Sequence, residues 1–311
     1  MRIVFMGSPA FALPALHILA SDYSIVGVVT QMDKAAGRGR KLVYSPIKHA
    51  AQELALPILQ PERVRDEEHV KTIKTWSPDL IIVAAYGQIL SQAILDIPRM
   101  GSINIHASLL PRWRGAAPIQ AAILHGEDET GITLMLMDIG LDTGPILTQT
   151  KIQISEAETA GELTSRLSQL GADHLRQALP DYIQGKITPT PQDANSVTYA
   201  PMLKKQDGFL DFSKPAVDLS RQVRAYQPWP GSFFIWENIR IAVHAVHIDE
   251  AAGQEIGMLV KQSRHPAVVT SNGLLVLDEV QPAGRKTMSG EAFVNGSPGI
   301  VDSNMLQQKI P

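Results

Sequence analysis

Apolar positions near the start of the chain fall in short unbroken runs, at Ile3-Val4-Phe5-Met6, Ile25-Val26-Gly27-Val28-Val29-Thr30 and Leu80-Ile81-Ile82-Val83-Ala84-Ala85. Runs of this length, rich in β-branched residues, predict strands buried on both faces. Between them lie segments that read as helix, from about Ala10 to Ala20 after the turn Gly7-Ser8-Pro9, and from Pro46 to Leu54. Strand and helix in alternation predict a doubly wound α/β domain built on a mostly parallel sheet. Further strands are expected near Ser102 to Ala107 and Gly131 to Met137. A helix from about Ala160 to Gln184 follows from Leu163, Leu167, Leu170, Leu175 and Leu179, with Thr159 and Glu162 as its capping box.

The pattern then changes. Gly185 to Gln206 carries Pro189, Pro191 and Pro201 among polar residues and reads as a linker. From Gly208 the segments are short and alternating, at Phe233 to Trp236, Ile239 to Ile248, Ala267 to Thr270 and Leu274 to Val280, with turns at Asn238, Ser271-Asn272-Gly273 and Ala283-Gly284. They predict a small antiparallel β-barrel domain. The expected division is 1–188, a linker at 189–206, and 207–311.

Composition narrows the chemistry. The chain has 311 residues, with 28 Lys and Arg against 31 Asp and Glu, so no global positive field draws in nucleic acid. From Leu203 onward there are 11 of each sign, so any basic surface must be local. The lack of cysteine removes thiolate catalysis, Cys-ligated zinc and iron–sulfur clusters, and is compatible with a reducing compartment. Ile3 to Ser21 holds no charged residue, but Gly7, Ser8, Pro9 and Pro14 interrupt it, so it is expected to be neither a signal nor a membrane span. A cytoplasmic protein is expected.

Along Ser102-Ile103-Asn104-Ile105-His106 the side chains alternate, placing Ser102, Asn104 and His106 on one face, successive members about 6.5 Å apart. The strand runs into a loop from Ala107 to Pro118, at the end of the strand where open α/β sheets bind ligands. An Asn and a His at a strand end could equally be satisfied by nearby backbone. A second loop, Asp138-Ile139-Gly140-Leu141-Asp142-Thr143-Gly144-Pro145, offers two aspartates that could orient a histidine or simply shape a turn, and spacing does not choose between them. The stretch Asp33 to Lys41 holds Lys34, Arg38, Arg40 and Lys41 with two glycines, suited to gripping phosphate or to an ordinary solvated surface. Gly7-Ser8-Pro9 lacks the three-glycine dinucleotide fingerprint, His125-Gly126 reads as a helix end, and no His-Glu-x-x-His pattern suggests a metal.

Taken together, Gly7-Ser8-Pro9-Ala10-Phe11, Ala36-Gly37-Arg38-Gly39, Asn104-Ile105-His106-Ala107-Ser108-Leu109-Leu110-Pro111, Gly140-Leu141-Asp142-Thr143-Gly144 and Pro228-Trp229-Pro230-Gly231 resemble the methionyl-tRNA formyltransferases, within the wider group of 10-formyltetrahydrofolate-dependent formyltransferases. The resemblance covers about nine tenths of the chain. It implies a Rossmann-like formyltransferase domain followed by an oligonucleotide-binding-type (OB-like) barrel that contacts tRNA. It also implies Asn104, His106 and Asp142 as the catalytic set, which selects Asp142 over Asp138. Ser108, Leu109, Leu110 and Pro111 would line a folate pocket, with the backbone of Tyr86, Gly87, Gln88, Ile89 and Leu90 reaching the pterin. Lys34, Arg38, Arg40 and Lys41 would meet the tRNA acceptor stem, although Lys34-Ala35-Ala36 stands where the family usually has a proline.

The implied reaction moves the formyl group of 10-formyltetrahydrofolate to the amine of methionyl initiator tRNA, without a metal or a membrane, and with a monomer as the expected state. The rival readings are a formyltransferase for a small amine, such as glycinamide ribonucleotide or an amino sugar nucleotide, and a non-catalytic RNA-binding module. The first is disfavoured by the basic loop combined with a trailing β domain, the second by the intact polar trio.

Overall fold

A computed structural model describes residues 1–36, 41–251, 253 and 255–307. The chain divides into two compact units. One comprises Met1–Pro118, Glu129–Gln153 and Thr164–Tyr199, the other Ile119–Asp128, Ile154–Leu163 and Ala200–Pro311.

The first unit is built on seven strands, β1 (Arg2–Gly7), β2 (Ser24–Val29), β3 (Ile58–Leu59), β4 (Leu80–Ala84), β5 (Ser102–His106), β6 (Glu129–Leu136) and β7 (Ile146–Gln153), ordered β7-β6-β5-β4-β1-β2-β3. The five strands β3 to β5 of that order pair in parallel, while β6 runs antiparallel to both β5 and β7. Ile3, Val4, Phe5 and Met6 have no exposed surface, as apolar runs covered on both faces require. From β1 the chain moves out to β2 and β3 and then returns to β4 on the opposite flank. Strand direction of travel therefore reverses between β1 and β4, and a crevice opens at their carboxyl ends.

The edge strand β7 escapes the hydrophobic pattern because Gln149, Lys151 and Gln153 on one face are exposed, while Thr148 and Thr150 interrupt the apolar positions of the other. The long helix Ala160–Ile183 is present, and its Thr159 and Glu162 close a reciprocal box, Thr159 N donating to Glu162 Oε2 at 2.9 Å and Glu162 N to Thr159 Oγ1 at 3.3 Å. At Gly171 this helix passes close over β5 and β6. A Cβ there would stand 2.9 Å from Ile105 Cγ2 and 3.4 Å from Ile132 Cδ1. Gly171→Val is therefore expected to cost about 1–3 kcal/mol by overpacking, read as a lower urea midpoint with an unchanged slope.

The stretch expected to be a linker is instead bonded into the first unit over residues 190–198. Ile146 and Thr190 exchange two backbone hydrogen bonds of 2.8 Å each, and Arg114 N donates to Thr198 O at 2.9 Å. Proline and polar content signals an absence of regular structure, not an absence of tertiary bonds, which explains the difference.

The second unit holds an antiparallel sheet in which Ser232–Trp236, Ile239–Asp249, Leu274–Pro282, His265–Val269 and Leu259–Gln262 lie side by side in that order, with Met288–Ser289 added to Leu274–Pro282. Two helices that the alternating pattern did not suggest, Ala216–Ala225 and Gly290–Asn295, complete it. The first places Leu219 and Val223 in a core with Phe212, Phe234, Ile241 and Leu275. Among the described residues, no helix is long and apolar enough to cross a membrane.

Candidate active site

The polar face of β5 is largely buried. Ser102 and His106 are inaccessible or nearly so, and only Asn104 keeps partial exposure. The Ser102 hydroxyl is buried without a hydrogen-bond partner. The other two meet the loop that follows β6. Asn104 Nδ2 lies 3.5 Å from Asp142 Oδ1, and His106 Nδ1 lies 3.7 Å from the same oxygen. Both separations are at or beyond the limit of a direct hydrogen bond, so the resting trio leaves the amide and the imidazole available to a reacting group.

The second carboxylate oxygen is fixed more tightly, with Gly115 N donating to Asp142 Oδ2 at 2.8 Å. His106 is anchored from its far side, where Nε2 is 3.1 Å from the carbonyl oxygen of Trp113. A carbonyl only accepts, so Nε2 carries the hydrogen and any proton gained or lost by this imidazole moves at Nδ1, beside Asp142. Asp138, the aspartate that spacing could not separate from Asp142, caps its own loop instead. Its Oδ1 accepts from Gly140 N at 3.0 Å and Thr143 Oγ1 at 2.6 Å.

Asp142 has φ +51°, a left-handed conformation that Asp tolerates better than most residues. Gly144 lets this loop approach the sheet, since a Cβ there would fall 1.7 Å from the backbone oxygen of Leu136. The loop is thus shaped by short-range chemistry but positioned by the end of β6.

The segment after β5 is buttressed from below. Thr133 Oγ1 on β6 donates to Ser108 O at 2.6 Å and accepts from Leu110 N at 3.0 Å. Gln149 Nε2 on β7 donates to Leu110 O at 2.8 Å and to Thr133 Oγ1 at 2.9 Å. Ser108 is fully buried with its hydroxyl turned to Arg112 O, and Leu110 is buried as well, so the accessible side chains of this stretch are those of Leu109 and Pro111.

Of the segment after β4, Tyr86 and Leu90 are buried in the core with Met6, Val29 and Ile94. Desolvation pushes the Tyr86 phenol well above its ordinary range, and its hydroxyl has no partner. What Tyr86 presents is its backbone oxygen, which accepts from Ser8 Oγ at 3.2 Å and Gln31 Nε2 at 3.0 Å. Gly87, Gln88 and Ile89 line a cavity of about 600 Å³ with Gln31, Met32 and Arg63, built from the segments that follow β2, β3 and β4 and not lined by Asn104, His106 or Asp142. Gln88 shapes its wall by accepting from Val64 N at 2.8 Å and donating to Pro61 O at 3.2 Å.

Of the four basic residues expected to meet nucleic acid, Arg38 and Arg40 lie outside the described residues. Lys34 and Lys41 stand in a short antiparallel pair of strands, Lys34–Ala36 and Lys41–Val43. At the base of this element Asp33 is already committed, its carboxyl held below the usual range by hydrogen bonds from Lys48 and Gln60. Among the described residues, no group of three or more His, Cys, Asp or Glu could hold a metal ion.

Sequence reasoning missed Trp113 and Gly115, which act through backbone groups, Thr133, which acts through its hydroxyl, and Gln149 and Gln192, which act through their side-chain amides. The first two lie in the loop singled out after β5, but nothing in their side chains announces a carbonyl or an N–H as the working group. Gln192 lies 50 residues beyond Asp142, in a stretch without a periodic pattern.

The formyl transferase family model matches residues 1–179, and the formyl transferase carboxyl-terminal domain model matches residues 202–298. Methionyl-tRNA formyltransferase from Chloroflexus aurantiacus is 47% identical over 300 residues, covering 95% of this chain and 97% of its own. The enzyme of that name from Geobacter sulfurreducens is 44% identical over 298 residues, covering 95% and 94%. Among solved structures, the sugar 3N-formyltransferase WlaRD, determined with dTDP and 5-N-formyl-THF, superposes with a TM-score of 0.65 at 20% identity, over 92% of this chain and 99% of that one. HypX from Aquifex aeolicus, in complex with tetrahydrofolic acid, gives a TM-score of 0.61 at 16% identity over 97% of this chain, which spans only 48% of HypX. These last two likenesses speak for the fold; the extent and identity of the sequence matches establish that the chain belongs to the methionyl-tRNA formyltransferase family.

Proposed function

We propose that this chain transfers the formyl group of 10-formyltetrahydrofolate to the free α-amine of methionyl initiator tRNA, with Asn104, His106 and Asp142 as the catalytic set. The observation that carries the reading is one carboxylate oxygen, Asp142 Oδ1, standing 3.5 Å from the Asn104 amide and 3.7 Å from the His106 imidazole at the carboxyl end of a sheet strand. Family membership supplies the reaction class, and the relatives' names supply the acceptor. Folate as donor is supported by the tetrahydrofolic acid bound in HypX.

An α-amine has a pKa of about 7.7–8.0, so a useful fraction is neutral and nucleophilic near pH 7. Its lone pair forms a bond to the formyl carbon while the carbonyl π pair moves onto oxygen. Asn104, the half-exposed donor of the trio, provides an N–H for that oxygen, worth about 2.7–4 kcal/mol in comparable oxyanion sites. Collapse breaks the bond from carbon to N10, the electron pair leaves on N10, and a proton must pass from the new ammonium to that nitrogen. His106 relays it at Nδ1, and Asp142 orients the ring and offsets the charge of the imidazolium. Gly87, Gln88 and Ile89, which line the cavity, are proposed to reach the pterin, and Leu109 and Pro111, the accessible side chains of the segment after β5, are proposed to add apolar surface to the folate site.

The deciding experiment incubates the purified protein with 10-formyltetrahydrofolate and methionyl initiator tRNA, with elongator methionyl-tRNA and an amino sugar nucleotide as parallel acceptors. N-formylmethionine formed on the initiator is the expected result. Formylation of the amino sugar alone would overturn the reading of the acceptor, and no transfer to any of them would favour a non-catalytic module. Because the protein carries a net charge of −3, tRNA must find local positive charge, and Lys34, Arg38, Arg40 and Lys41 are proposed to supply it. Arg38→Ala is expected to weaken use of charged tRNA about ten-fold and lower its salt slope by about one, with the KM for the folate essentially unchanged. Equal losses toward both substrates would count against a tRNA role for the loop.

A further inference from the structure

We propose that Gln192 is a positioning residue for the Asp142 carboxylate, locked in one orientation by the guanidinium of Arg114; the assignment rests on the role proposed above for Asp142. Gln192 Nε2 donates to Asp142 O at 2.8 Å and to Gly144 O at 2.7 Å, bracketing the backbone of the loop that carries the carboxylate. On the other side of the amide, Arg114 Nε and Nη2 donate to Gln192 Oε1 at 3.1 and 2.7 Å.

These four bonds use the full capacity of a primary amide, two hydrogens and two lone pairs. They also fix which way it faces. A guanidinium only donates, so the amide oxygen must turn to Arg114 and the nitrogen to the two carbonyls. Arg114 is itself nearly buried, at 8% exposure, and its backbone N is held by Thr198 O, so it is a rigid support.

The geometry joins both ends of the carboxylate's support to one dipeptide. Arg114 orients Gln192, which grips the backbone of Asp142, while the adjacent Gly115 N–H grips Asp142 Oδ2. A left-handed Asp at φ +51° is an uncommon conformation that surrounding bonds must hold in place. The clamp supplies such bonds directly at residue 142 and again at residue 144.

Gln192→Glu and Gln192→Leu test the proposal together. Glu keeps an acceptor for Arg114 but turns an anionic oxygen toward two carbonyls it cannot donate to, whereas Leu removes both functions at similar volume. If the clamp positions Asp142, both variants lower kcat about 100-fold, the effect of an ångström-scale misplacement, with KM for folate and for charged tRNA nearly unchanged. The Gly115 amide proton, bonded to Asp142 Oδ2 in the native protein, should move upfield in the ¹H–¹⁵N spectrum of both. A residue needed only as a partner for Arg114 would give Gln192→Glu wild-type kcat. Wild-type kcat in either folded variant, or an unmoved Gly115 resonance in Gln192→Glu, overturns the assignment. Failure of the native protein to formylate methionyl-tRNA would instead overturn the function, and the Gly115 shift would still decide the clamp.

Discussion

His106→Ala is expected to lower kcat for formyl transfer by about 10²–10⁴, the range a positioned general acid–base supplies, while leaving KM for both substrates close to native. The expectation follows from an imidazole whose Nε2 is tied to the Trp113 carbonyl and whose Nδ1 faces Asp142 Oδ1. Asp142→Asn should fall in the same range, because the variant removes the negative charge beside Nδ1 while keeping the shape of the side chain. If the two act as one relay, the double variant is no slower than the slower single one, since either change alone already disables the relay. Single-turnover rates at saturating substrates give the comparison. Native turnover in His106→Ala, or strictly multiplicative losses in the double variant, would show that these side chains do not work as a pair.

Gly144→Ala is expected to be nearly as damaging for a different reason. The new Cβ would fall 1.7 Å from Leu136 O, and that strand end cannot yield easily. Leu136 pairs with Ile103 across the sheet, and its N donates to Pro145 O at 2.9 Å. The loop must therefore lift, carrying Asp142 away from Asn104 and His106. A displacement of about 1 Å would cost on the order of 100-fold in kcat. Overpacking would also remove about 1–3 kcal/mol of stability, seen as a lower thermal midpoint. The diagnostic is the pairing of the two losses: Gly171→Val, on the apolar side of β5, should destabilise with a much smaller effect on kcat. A Gly144→Ala enzyme with native kcat would mean that the approach of this loop to the sheet does not set the geometry of the site.

Residue type and local pattern marked Asn104, His106 and two aspartates, Asp138 and Asp142, as candidates, and the family resemblance alone selected Asp142. Asn104 and His106 share a face by the two-residue period of a strand, and Asp142 lies in a glycine-flanked loop after the next strand. What holds them was not legible. Thr133 supports the Ser108 to Pro111 segment from the buried interior strand β6, Gln149 does so from the half-polar edge strand β7, and Gln192 works from a proline-rich stretch that spacing reads as a spacer. Tyr86 shows the opposite case, an aromatic residue near the crevice whose ring belongs to the core and whose backbone oxygen alone is presented.

By itself the order of apolar and polar residues determined that this chain forms a mostly parallel α/β sheet followed by an antiparallel β unit, and it marked Asn104, His106 and two aspartates as candidates without choosing between the aspartates. Those are local properties, set by periods of two and 3.6 residues and by side-chain chemistry. Only the tertiary structure decided that β6 and β7 turn antiparallel, that Asp142 meets His106 while Asp138 caps its own turn, and that Trp113, Gly115 and Gln192 grip the trio. These are meetings between segments tens of residues apart, made by backbone groups common to every residue, so their partners are chosen by packing and loop geometry and leave no periodic trace in the chain.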